Sequence, residues 1–139
     1  MSTEPAHHHR EDPEAELLAP RIVVIGNVSG APQIPVGAEA MTVMVTLPPG
    51  SPGSAPHRHP GPAYGYVLKG EIIFELEGEP QRIVKAGQTF WEPGDVIHYR
   101  DGNNLDDAES VFLVTMFCPP GYPILEPVGA DELARRRDR

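Results

Sequence analysis

The chain of 139 residues is poor in three things, and each shortage removes a class of function. Its one cysteine, Cys118, leaves no intramolecular disulfide framework to organise it. No apolar run approaches the roughly 18 residues of a membrane helix, and the first twenty residues lack the short apolar segment of a signal peptide. A cytoplasmic protein with no membrane partner is therefore expected. Positive charge is the third shortage: 11 Lys and Arg against 20 Asp and Glu give a net charge of -9, a field that repels nucleic acid.

Turn-forming residues are abundant instead. The 17 prolines and 14 glycines stand between β-branched and aromatic runs, where turn chemistry needs them, and not within those runs. The runs themselves read as short strands over residues 22–25, 40–47, 64–68, 72–76, 81–84, 90–91, 96–100 and 111–117. Closely spaced short strands of this kind predict an all-β antiparallel barrel or sandwich, and the length allows one such domain. The expected division is a flexible N-terminal arm over 1–20, the barrel over 21–126 and a tail over 127–139. His7, His8 and His9 fall on the arm and are left outside any site. In the tail, Asp131 to Arg139 reads as a short turn of helix with Leu133 as its apolar anchor and Arg135, Arg136 and Arg137 outside. Residues 111–117 are apolar on both faces, so the second face needs a cover. A homodimer through a sheet face or edge supplies one; the chain's own arm is the other candidate.

His57 and His59 stand two apart, so on an extended strand both imidazoles project to one side. A third imidazole, His98, follows the turn Pro93-Gly94-Asp95. Three neutral imidazoles converging on one point suit a divalent transition ion: iron, zinc, copper, nickel or manganese.

These two stretches together resemble the paired motifs of the cupin superfamily over roughly residues 40 to 118. His57, His59, Gly70, Gly87, Pro93 and His98 fall on the pattern. Four positions depart from it: six residues separate Gly50 from His57, Ala63 stands where a glutamate ligand belongs, Asp95 replaces a glycine, and the late asparagine is shifted to Asn103. The resemblance implies a jelly-roll barrel holding one divalent metal ion on His57, His59 and His98, with Fe(II) favoured. Glu92, six before His98, is similar to a glutamate at the same offset in the three-histidine diketone-cleaving dioxygenases, and it is expected to move a substrate proton, its pKa raised by the pocket. If strand alternation runs through Ala63, Gly65 and Val67 then small side chains open room for a planar substrate; if the phase resets, Tyr64 and Tyr66 line the cavity. Tyr64 and Arg100 complete the candidate catalytic set, Arg100 as a partner for a substrate carboxylate or enolate. The implied function is a dioxygenase acting on a small enolisable carbonyl or phenolic compound. A redox-neutral isomerase or cyclase and a non-catalytic ligand-binding cupin are the alternatives.

Overall fold

The structure, a computed structural model, describes residues 13–136. His7, His8 and His9 lie outside the described residues. A short helix α1 (Pro13–Leu18) precedes nine strands: β1 (Glu39–Leu47), β2 (His57–Arg58), β3 (Ala63–Lys69), β4 (Glu71–Leu76), β5 (Arg82–Lys85), β6 (Thr89–Glu92), β7 (His98–Arg100), β8 (Ser110–Cys118) and β9 (Glu126–Pro127). A second helix, α2 (Ala130–Arg135), closes the described chain. The strands form two antiparallel sheets, a four-stranded one in the order β1-β8-β3-β6 and a five-stranded one in the order β5-β4-β7-β2-β9. This is the all-β jelly roll expected from the spacing of the runs.

Period-2 alternation decides which side chains enter the space between the sheets. On β8, Phe112, Val114, Met116 and Cys118 are buried while Val111, Leu113, Thr115 and Phe117 are half-buried on the outer face. On β3, Ala63, Gly65 and Val67 point inward, and on β4, Ile72, Phe74 and Leu76 do. These residues, with Leu47, Val84 and Phe90, make one continuous core. Its far end is tied by Asn103, whose Nδ2 donates to the carbonyls of Pro48 (3.0 Å) and Ala108 (2.9 Å) while its Oδ1 accepts from Ser110 Oγ (2.7 Å).

Three expectations need correction. The run Ile22–Ile25 is not a strand: Ile22, Val23 and Val24 are 76–88% exposed, because β-branched side chains favour a strand where an edge accepts them and none of their own sheet does. The chain just after it crosses the outer face of the four-stranded sheet at Gly26, where any Cβ would collide with the Tyr64 hydroxyl and Thr89, so the arm does cover part of that face. Residues 96 and 97 precede the strand that begins at His98. Finally, the tail helix forms as expected around Leu133, but its charges are not all free. Arg136 pairs with Glu77 at 2.7 Å and Glu132 with Arg58 at 2.6 Å, which fixes α2 against the five-stranded sheet.

Candidate metal centre

Strand pairing brings the histidines together. His57 on β2 and His98 on β7 are direct cross-strand partners, with ring centroids 5.0 Å apart, and His59 lies two residues beyond with its ring 5.0 Å from that of His57. Glu92 enters from the opposite sheet, at the end of β6. The donor atoms of His57, His59, Glu92 and His98 all lie within 4.8 Å of one another, and all four residues are buried.

The turn between Glu92 and His98 makes this convergence possible. Gly94 at φ 92° sits against the backbone of Gly61, where a Cβ would come 2.8 Å from a carbonyl carbon. Asp95 adopts φ 58°, a left-handed conformation that aspartate tolerates better than most residues, and its N–H donates to the His59 carbonyl at 2.9 Å. The family's glycine at this position and the aspartate here answer the same backbone demand. One turn thus joins both halves of the ligand set.

The protonation pattern suits a cation. His57 Nδ1 lies 2.8 Å from the Ala55 carbonyl and His59 Nδ1 2.5 Å from that of Ile124, so in each ring Nδ1 donates and Nε2 keeps its lone pair for the cluster. His98 is different: neither of its buried ring nitrogens has a hydrogen-bond partner among the described residues, although Nδ1 stands 2.9 Å from Glu92 Oε1. Buried polar atoms are costly to leave unpaired. A divalent ion would satisfy that nitrogen, and three imidazoles with one carboxylate are a donor set such an ion accepts.

Burial lowers the pKa of His57, and the neighbouring His98 and His59 push the same way against the Ala55 carbonyl. Burial also pulls on His59, but hydrogen bonding and charge from Glu92 outweigh it and raise its pKa. For Glu92, burial alone would raise the carboxyl; the close approach of His59 and His98 instead holds it at about 2. The expected upward shift is thus reversed, because Glu92 sits among the imidazoles and not behind them.

The cluster forms one end of a cavity of about 130 Å³ whose other walls are largely apolar, with Val43, Val45, Phe90, Phe112, Val114 and Met116 among them. Gly65 does not open extra room there: the Phe90 ring occupies the space its side chain would take. Tyr64 is not brought to the cluster. The inward phase of Ala63, Gly65 and Val67 turns it to the outer face, where its ring lies 5.8 Å from that of Trp91. Arg100 is not brought there either; it is exposed and its Nη1 donates to Gln81 at 2.9 Å.

One lining residue escaped the sequence reading. Asp101 is buried in the cavity wall, and its Oδ1 accepts the Ser54 N–H at 2.6 Å. In sequence, Asp101-Gly102 reads as a turn at a strand end, and the one available signal was its position three after His98. Among the described residues lining the cavity there is no lysine or arginine.

The comparisons agree with this architecture. The sequence model of the cupin domain matches residues 43–116, just over half of the chain, and the chain belongs to the cupin family. No curated protein sequence matches. Among solved structures, a cupin-like protein from Thermotoga maritima is 25% identical, with a TM-score of 0.52 over 70% of this chain and 72% of that one. The DMSP lyase DddQ from Ruegeria pomeroyi is 23% identical with a TM-score of 0.51, covering 60% of this chain and 41% of that chain. Oxalate oxidase in complex with the substrate analogue glycolate is 21% identical with a TM-score of 0.52, covering 95% and 77%. The chain spans less than half the length of the DMSP lyase chains it resembles.

Proposed function

We propose that this cupin is a mononuclear metal-dependent enzyme acting on a small enolisable carbonyl or phenolic compound, with dioxygenase chemistry as the leading reading. The observation that carries it is the cluster itself: three buried imidazoles and one buried carboxylate facing a closed, mainly apolar cavity. His57, His59, His98 and Glu92 would hold the ion. When bound, a divalent ion at such a site supplies Lewis acidity and, if redox-active, a route for dioxygen chemistry.

The chain's own residues supply the rest. The Ala55 and Ile124 carbonyls orient two imidazoles, and the apolar walls exclude water from the reacting atoms. At about 130 Å³ the cavity is well below the ~300–1,000 Å³ of drug-sized pockets, which favours compact substrates over large planar ones. Without a lysine or arginine in the wall, recognition rests on shape and on oxygen donors and not on paired anionic groups. Because Glu92 belongs to the cluster, the proton-moving role passes to Asp101, the other buried carboxylate of the wall.

Asp101 is also what favours the redox-neutral reading, since a base beside a polarised carbonyl is all that isomerisation or elimination requires. The two are separated by purifying the protein with its metal content measured, then assaying small β-diketones, hydroxy ketones and catechols with and without oxygen. Oxygen uptake matched to substrate loss supports the dioxygenase; equal turnover under argon assigns the redox-neutral chemistry. Asp101→Asn should retain full metal and lower kcat by about 100-fold. Full turnover of metal-stripped protein, or of His98→Ala, would dismiss the metal enzyme altogether.

A further inference from the structure

We propose that residues 22–25 of one copy add as a strand to the free edge of β1 in a second copy, and that the reciprocal exchange closes a two-fold dimer. Two unmatched features of the same chain carry this.

The first is an acceptor. β1 pairs with β8 at all nine positions from Glu39 to Leu47, yet it stands at the end of its sheet, so among the described residues its other edge has no strand. Its first four residues are exposed, Met41 remains 38% exposed, and Met44 is 65% exposed. A long, apolar edge of this kind is what folded proteins ordinarily cover.

The second is a donor. Ile22, Val23, Val24 and Ile25 form an unbroken β-branched run, 57–88% exposed, with no strand partner in their own chain. Gly26 lies over Tyr64 and Thr89, on β3 and β6, so the arm runs across its own sheet and not alongside its own β1. Ile25 and Gly26 also share an outer cavity of about 290 Å³ with Thr42 of β1, which puts the run in the neighbourhood of that strand. Tyr64 Oη, in the same cavity, is buried without a hydrogen-bond partner.

Exposure beyond this run supports the same occupant. Ile34 is 52% and Val36 101% exposed, both between the run and β1. Together with the run, Met41 and Met44, these side chains leave on the order of 1,000 Å² accessible per copy, against the roughly 800 Å² per partner of a standard interface. Monomers rarely leave that much apolar surface open. A second copy is the partner that has both counterparts: each chain offers one run and one edge, so two identical contacts form and no edge is left over. Val43 and Val45 of β1 line the inner cavity, so the exchange would brace one of its walls.

The test is the solution mass of the full chain, by light scattering at tens of micromolar, with and without added metal. A dimer is expected in both, which keeps this proposal separate from the metal reading. Val23→Asp with Val24→Asp, at exposed positions, should yield a monomer with unchanged circular dichroism and cooperative melting. In Val23→Cys with Met44→Cys, a short bismaleimide should join two chains covalently; Cys118 is buried and leaves the added thiols as the reactive ones. A monomeric wild type, a dimer that survives the aspartates, or a cross-link confined within one chain would each overturn the exchange.

Discussion

Ala63 and Glu92 are cross-strand partners on β3 and β6, and the pair explains how the centre keeps a carboxylate that the sequence pattern shows as lost. Directly opposed side chains share one face of a sheet, so a ligand missing from one strand can be supplied from its neighbour. Glu92→Ala should lower metal affinity by at least about tenfold, the lower end of what losing even a supporting group costs. Restoring the carboxylate from the other strand, as Ala63→Glu with Glu92→Ala, should recover much of it. Metal stoichiometry and competition with a chelator measure both; a double variant no better than Glu92→Ala would break the argument. At this scale the histidines were legible because His57 and His59 lie two apart and His98 follows a turn signal. The membership of Glu92 was not, because Pro93 to Asp95 interrupts the strand and parity cannot be carried across it. Tyr64 was legible once the phase was known: placing Ala63 inside puts its neighbour outside.

The elements repay the same treatment. Most strands could be read from alternation and glycine spacing, since β3, β4 and β8 are long enough for the buried face to declare itself. The run 22–25 could not, because its composition meets the requirement for a strand while the partner edge is a matter of topology. The turn from Glu92 to His98 is the element on which the site depends, and its test lies at Asp95. A β-branched side chain at φ 58° is strained, so Asp95→Val should destabilise the protein by about 1–3 kcal/mol and loosen metal binding. Asp95→Gly should leave metal binding unchanged and stability within about 1 kcal/mol, because glycine adopts that conformation freely. Urea unfolding of the two variants, with metal titration alongside, checks the contrast. If Val and Gly behave alike, backbone conformation is not what that position supplies.

For the whole molecule, the paired shifts of His59 and Glu92 set the pH behaviour. His59 is raised above its ordinary 6.5, so in metal-free protein its contribution is complete below pH 6.5 and is lost as pH rises through the folded value. Glu92 is depressed from 4.5 to about 2, so its contribution is complete above pH 4.5 and is lost as pH falls through about 2. Both are in full force between pH 4.5 and 6.5, where protons hold the cluster together. Metal must displace the His59 proton, so the rise in Tm on adding metal should be small at pH 5 and grow above pH 7. Thermal melts with and without the ion from pH 5 to 8 read this directly, and a metal effect independent of pH would count against these four donors. The ligands are also divided between layers: Glu92 belongs to the four-stranded sheet, His57 and His98 to the five-stranded one. A cation there is a rivet through both plates of the sandwich. Loading it should slow amide hydrogen exchange in β6 and in β2 and β7 together, although no backbone hydrogen bond is added, because the plates can then part only by first releasing the rivet.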